Sequence, residues 1–249
     1  MKRAPKAYKN SNFLASSEAR IIRIMSEYLE PQNRLNEQNI KHSVVFFGSA
    51  RVRTGMKSDK FNAGKCYDDA EEFAFRLGEW SNQLAKEEKD YGFTICTGGG
   101  PGIMEAANKG AIRAKCRSMG LNISLPHEQA PNDFLTPHLN FEFHYFFMRK
   151  LWFLYHAKAL VVFPGGFGTM DELFETLTLV QTKKLQKHDF PILMYDPDFW
   201  KNVINFQKLV DCGLIQQEDI DLIHFFSSPQ EGMDYLKPRL ENIIRTFDH

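Results

Sequence analysis

One short segment of this 249-residue chain has the makings of an anion trap backed by acids: Pro164-Gly165-Gly166-Phe167-Gly168-Thr169-Met170-Asp171-Glu172. Glycines leave the backbone free to take positive φ and to aim successive N–H groups at a negative charge. A helix that starts there adds unpaired N–H donors and the positive end of its dipole. Thr169 supplies a hydroxyl beside these donors, or caps the helix. Two more apolar runs end in small residues, one as Phe46-Phe47-Gly48-Ser49-Ala50-Arg51 and one as Cys96-Thr97-Gly98-Gly99-Gly100-Pro101-Gly102. The plain alternative is that such glycines only make tight turns.

Spacing narrows the ligand. After Gly98 and Gly100 the next glycine of G-x-G-x-x-G would fall on Ile103, and after Gly166 and Gly168 on Asp171. G-x-x-x-x-G-K-[ST] is absent too. Phosphate-binding backbone without the NAD or ATP signatures fits a mononucleotide, with Gly48, Ser49, Gly98, Gly99 and Gly100 sharing the work of residues 165–169. Asp171 reads as an acid near a helix N-terminus. Glu172 stands where it could reach a ribose whose phosphate rests on the glycines. Arg149 and Lys150 interrupt an aromatic run, Tyr145-Phe146-Phe147-Met148-Arg149-Lys150-Leu151-Trp152. A cation in such a run either snorkels to water or has an anionic partner. Glu105 reads as a helix-dipole complement, whereas Glu128 follows a strand end in a loop and stays a binding candidate. His127, His138 and His144 lack metal-ligand spacing, so no metal is expected.

Apolar runs of strand length fall at Val44–Phe47, Phe93–Cys96, Met119–Ser124, Ala159–Phe163, Pro191–Tyr195 and Leu222–Phe226. Helical segments separate them, at Ala63–Lys86, Ile103–Cys116, Tyr145–His156, Met170–Lys184, Asp198–Cys212 and Pro229–Thr246. This alternation predicts an α/β fold with a doubly wound, mostly parallel, Rossmann-like sheet and helices on both faces. Ligands of such sheets sit beyond the carboxyl ends of the strands, so the three glycine turns should face one crevice. Residues 126–143 read as a long loop with a short extended piece. Residues 1–42 read as an arm with one helix, Ser17–Leu29, packed on the domain or on a partner subunit. Residues 43–249 read as a single Rossmann-like nucleotide-binding domain.

Lys plus Arg and Asp plus Glu both number 31, for a formal net charge of +0. That balance gives no general attraction to nucleic acid or to an anionic membrane. Cys66, Cys96, Cys116 and Cys212 have no C-x-x-C spacing and read as reduced thiols. Lys2, Arg3, Lys6 and Lys9 are followed by no apolar leader core, and no run approaches the ~18 residues of a membrane span. A cytoplasmic location is expected. Asn122-Ile123-Ser124 matches a glycosylation sequon, taken as chance within a strand.

Pro164-Gly165-Gly166-Phe167-Gly168-Thr169-Met170-Asp171-Glu172 completes the PGGxGTxxE motif of the LOG family. Arg149-Lys150 resembles that family's second signature, with Phe146 and Phe147 where the short plant-type form MHxRK has Met and His. Gly98 to Ala107, in the form Gly-Gly-Gly-Pro-Gly-Ile-Met-Glu-Ala-Ala, resembles its first glycine loop. The resemblance runs from about Ser43 to Trp200. It implies a Rossmann-like homodimer that hydrolyses nucleoside 5′-monophosphates, AMP or cytokinin nucleotides, to free base and ribose 5-phosphate. It assigns catalysis to Arg149 and Glu172, phosphate and ribose binding to Gly165, Gly166, Phe167, Gly168 and Thr169, and further nucleotide contacts to Glu128, Lys150 and Thr178. Family members have carried the label "lysine decarboxylase". No lysine here stands in a setting that argues for a pyridoxal phosphate Schiff base, and no cofactor is expected. The alternative is a nucleotide-binding or carrier protein of the same superfamily, using the same crevice without turnover.

Overall fold

The strands of this chain bury both faces, and their side chains sort accordingly. On β1 (His42–Phe47), Val44 and Phe46 join one apolar core while Val45 and Phe47 join another. The same period of two divides Ala159 and Val161 from Leu160 and Val162 on β5 (Ala157–Val162). The computed structural model describes residues 3–56, 62–87, 92–125, 130–185 and 190–247. The remaining strands are β2 (Phe93–Thr97), β3 (Ser118–Ile123), β4 (Asn140–Phe143), β6 (Ile192–Tyr195) and β7 (Ile223–Phe226). All neighbours pair in parallel, in the order β4-β3-β2-β1-β5-β6-β7.

The helices are α1 (Ser11–Ala15), α2 (Arg20–Glu37), α3 (Ala63–Glu87), α4 (Ile103–Arg113), α5 (Phe146–Tyr155), α6 (Phe167–Gln181), α7 (Pro197–Val203), α8 (Phe206–Asp211), α9 (Gln217–Ile220) and α10 (Pro229–Phe247). One face of the sheet is covered by α3, α4 and α10, through Phe73, Ala106 and Leu236. The other is covered by α2, α5, α6 and α7, through Leu35, Trp152, Leu173 and Trp200. This is the doubly wound sheet that the alternation predicts. The chain winds outward from β1 through β2 and β3 to β4, then returns to lay β5 on the other side of β1. The switch point therefore lies between β1 and β5, where connections leave in opposite directions and open a crevice. No helix among the described residues is long and apolar enough to cross a membrane.

Three elements differ from the sequence pattern. The short extended piece within residues 126–143 is the edge strand β4, held on β3 by Phe141 and Phe143, which point into the core. The segment expected as one helix over residues 198–212 is two, because Ile204 is extended and the Asn205 side chain caps a new helix through Lys208 N at 2.9 Å. The arm helix continues beyond Leu29 to Glu37, straight through Pro31. Proline removes the donor that would satisfy the Glu27 carbonyl one turn back. Trp152 of α5 supplies it instead, donating from Nε1 to Glu27 O at 2.9 Å. The Glu27 carboxylate in turn accepts from His144 N at 2.8 Å and Tyr145 N at 3.2 Å, at the start of α5. The C-terminal half of α2 is thus packed on the sheet's own helical layer, with Leu35 in the core.

Candidate active site

The three glycine turns meet above the carboxyl ends of β1, β2 and β5 and enclose a cleft of about 720 Å³. Its wall includes Gly48, Ser49 and Arg51 from the first turn, Gly98 and Gly100 from the second, and residues 166–169 from the third. Arg149, Glu172, Asn122, Met104, Phe146 and Phe153 also line it. Gly99 and Gly165 belong to the same turns but stand behind the wall. The turns are tied together: Ser49 N donates to Pro164 O at 3.0 Å and Ile103 N to Ser49 O at 3.0 Å.

Helix α6 begins at Phe167, three residues before the start that the sequence suggests. Its first bond of helical spacing runs from Met170 N to Gly166 O at 3.0 Å. The N–H groups of Phe167, Gly168 and Thr169 precede it and have no acceptor within the helix, which also lacks a side-chain cap. These donors sit in residues of the cleft wall. The glycines of this turn do not take the positive φ that the sequence reading proposes. In the cleft turns that conformation belongs to Gly99 (φ 71°) and Gly102 (φ 74°). At Gly165 the reason is space, since a Cβ would lie 2.1 Å from Thr169 Oγ1. At Gly166 and Gly168 a Cβ would meet nothing within 4 Å. None of the described residues crowds those two positions.

Because α6 starts early, Asp171 and Glu172 fall in its second turn, not its first, and the helix dipole does not account for them. Asp171 is exposed and binds Lys150 Nζ at 2.8 Å. Glu172 turns inward, with 4% of its surface exposed, and meets Arg149 Nη2 at 3.7 Å. Arg149 lies between the rings of Phe146 and Phe153, each centred 5.3 Å from its guanidinium carbon. Its Nη1 would stand 4.0 Å from a Cβ at Gly98, so the guanidinium lies over the end of β2. Its Nε is buried without a partner among the described residues.

Burial sets the protonation of this pair. Desolvation pushes the Glu172 carboxyl up to about 7, against the pull of Lys150 and Arg149. Desolvation also lowers Arg149 from its ordinary value, opposed by Glu172, Asp171 and Glu142. Burial works against the Lys150 ammonium as well, but hydrogen bonds to Asp171 and Glu175 outweigh it and raise its pKa.

The other residues proposed for nucleotide contact are placed differently. Lys150 turns away from the cleft and bridges α5 to α6 through Asp171 and through Glu175 at 2.6 Å. Thr178 is exposed farther along α6, outside the cleft wall, with its hydroxyl donating to Phe174 O at 2.7 Å. Glu128 and His127 lie outside the described residues. Glu105 accepts from Tyr67 OH at 2.7 Å, toward α3.

Asparagines that the sequence reading passes over build the second turn. Thr97 Oγ1 accepts from Gly99 N at 2.9 Å and donates to the buried Asn108 Oδ1 at 2.6 Å. Asn132 Nδ2 donates to the carbonyls of Gly99 at 3.0 Å and Gly100 at 2.9 Å. Asn122, read as a chance sequon, is the last residue but one of β3 and lies in the cleft wall. Side-chain amides in turns and strand ends carry no fixed spacing, so no pattern in the sequence marks them. Arg51 and Met104 are contiguous with the glycine turns, and that adjacency is the available signal.

A Rossmann-like sheet with helix-terminal amides and a buried Glu172–Arg149 pair in a cleft at the carboxyl ends of its strands defines the class of this α/β protein. Residues 104–236, more than half of the chain, match the family described as "Possible lysine decarboxylase", and the chain belongs to that family, of the LOG type. It is similar to cytokinin riboside 5′-monophosphate phosphoribohydrolases of Arabidopsis thaliana. One is 31% identical over 100 residues, covering 38% of this chain and 46% of the relative. Another is 32% identical over 77 residues, covering 30% and 34%. The matches thus span less than half the length of these relatives. Among solved structures, a molybdenum cofactor binding protein from Rippkaea orientalis is 18% identical with a TM-score of 0.48, over 79% of this chain and 96% of that one. The molybdenum cofactor carrier protein of Chlamydomonas reinhardtii is 19% identical with a TM-score of 0.48, over 80% and 99%.

Proposed function

We propose that this chain hydrolyses the N-glycosidic bond of a nucleoside 5′-monophosphate, AMP or a cytokinin-type nucleotide, to free base and ribose 5-phosphate. The observation that carries the proposal is the buried Glu172 carboxylate beside Arg149, in the same cleft as the free amides of residues 167–169. The phosphate rests on those amides at the positive end of α6, with the Arg51 cation on the same wall. That contact anchors the substrate away from the reacting bond.

As the base departs, the ribose takes on oxocarbenium character. The ionised Glu172 stabilises that charge and accepts a proton from the water that attacks C1′. The electron pair of the broken C–N bond leaves with the base, whose developing negative charge is met by the Arg149 guanidinium and which then takes up the proton that Glu172 received from the water. A Glu172 pKa of about 7 suits a group that must lose and regain a proton near neutrality. Lysine is absent from the cleft wall among the described residues, whereas pyridoxal phosphate decarboxylation would need one as a Schiff base.

The proposal extends to the assembly: residues 43–249 form the catalytic domain, residues 1–42 an arm, and two chains form a homodimer. On α2, Ile21, Ile22, Met25 and Leu29 are exposed at helical spacing, which supports a partner surface there.

A panel of 5′-monophosphates assayed for released base and ribose 5-phosphate tests the activity. The Glu172→Gln variant should bind AMP but release adenine about 10²–10⁴-fold more slowly. Near-full activity in that variant would remove Glu172 from the chemistry. AMP binding by the unaltered chain without base release would favour the carrier alternative.

A further inference from the structure

We infer that Asn122 reads the base: its amide oxygen accepts a hydrogen bond from an exocyclic amino group, so that amino-bearing bases are cleaved in preference to their oxo counterparts. This rests on the nucleotide reading above and adds to it the group that would set base preference.

The amide cannot turn freely. Asn122 Nδ2 donates to Phe141 O at 3.1 Å and to Asn140 Oδ1 at 2.7 Å, both on β4. A backbone carbonyl can only accept, so the first bond fixes which end of the amide faces the sheet edge. Oδ1 is left on the other end. The amide lies against Gly99, where a Cβ would come within 2.4 Å of Oδ1, so that glycine leaves the space the side chain occupies. The residue is 5% exposed, yet it forms part of the cleft wall, and among the described residues its side chain bonds through Nδ2 and not through Oδ1. Because Oδ1 is unbonded among these residues but not sealed from solvent, a ligand donor would take the place of water there.

Its position along the sheet fits a base. The free amides of α6 follow β5, Arg149 lies over Gly98 at the end of β2, and Asn122 is the last residue but one of β3. From β5 to β3 is three strand spacings, roughly 14 Å. The order across the cleft is thus anion donors, then the Glu172–Arg149 pair, then a neutral acceptor, which is the order of phosphate, glycosidic bond and base in a mononucleotide. Ile123, Leu125 and Met104 line the cleft beside Asn122 and offer apolar surface to a flat ring. A single acceptor needs a single N–H, so an adenine with one N6 substituent still satisfies it, whereas an oxo group would set oxygen against oxygen.

The test compares kcat/KM for AMP, IMP, N6-methyl-AMP and N6,N6-dimethyl-AMP. The unaltered chain should favour AMP over IMP by roughly 10²-fold or more. N6-methyl-AMP should behave like AMP, and the dimethyl compound, which has no N–H, like IMP. In Asn122→Leu, AMP and IMP should come within about threefold of each other. A purely structural role would slow all four nucleotides alike. Equal use of AMP and IMP by the unaltered chain, or an AMP preference that survives in Asn122→Leu, would overturn the inference. If Asn122→Leu does not fold, the methylated nucleotides decide the question on the unaltered chain. If no nucleotide releases its base, the hydrolase reading fails instead. Calorimetric binding of AMP against IMP then decides Asn122 by itself, with equal affinities counting against it.

Discussion

Replacing Glu172 by Gln should make this protein more stable at pH 8 while disabling it. Burial holds the carboxyl at about 7 in the folded chain, against 4.5 for an unperturbed group. Between those values the folded chain keeps a proton that the unfolded chain has released, so stability falls as pH rises through this window. At about 1.4 kcal/mol per pH unit, the loss above pH 7 is about 3 kcal/mol. Below about pH 4.5 it vanishes. Glutamine has the shape and neutrality of the protonated acid and pays no such cost at any pH. Arg149 does not reverse the sign, because its attraction already opposes the shift and burial still wins. The variant should therefore melt roughly 6–12 °C above the unaltered chain at pH 8, for a domain of this size, with a gap near zero at pH 4.5. Paired urea and thermal unfolding at the two pH values reads the effect. A Gln variant less stable at pH 8, or a gap that does not change with pH, would show that the carboxylate is not held against its own charge.

Glycine substitutions in the third turn should separate folding from ligand binding. Gly166→Ala meets none of the described residues within 4 Å and should leave the melting temperature within about 2 °C, but it crowds the free amides and should raise KM for AMP about tenfold or more. Gly165→Ala runs into Thr169 and should cost about 1–3 kcal/mol in urea unfolding. If Gly166→Ala leaves KM unchanged, the amides are not the phosphate site. On α2, Met25→Glu should shift sedimentation from dimer to monomer without loss of helicity, and an unchanged sedimentation coefficient would move the partner surface elsewhere.

The fold and the centre of the site were legible because they rest on short-range rules. The period of two in Val44 to Phe47 and Ala159 to Val162 marks strands buried on both faces, and the glycine-rich ends mark their carboxyl side. Arg149 and Glu172, which the family resemblance names together, lie 3.7 Å apart. What sequence could not supply was set by tertiary context. Phe167-Gly168-Thr169 are poor helix formers, so the pattern places the start of α6 after them, whereas the helix takes them into its first turn. Pro31 looks like a helix end until Trp152 is brought beside it. The Asn122 side chain gained a place only when β4 paired with β3 and fixed its amide.

The exchange at Pro31 also bears on how the arm can move. Lifting α2 off the sheet would strand the Glu27 carbonyl, the Trp152 indole and the two amides before α5. Each stranded group costs about 1–3 kcal/mol if it stays dry. Trp152 stands three residues from Arg149 on the same helix. The arm is therefore bolted to the strut that carries the guanidinium, and force applied to one is delivered to the other without passing through the sheet.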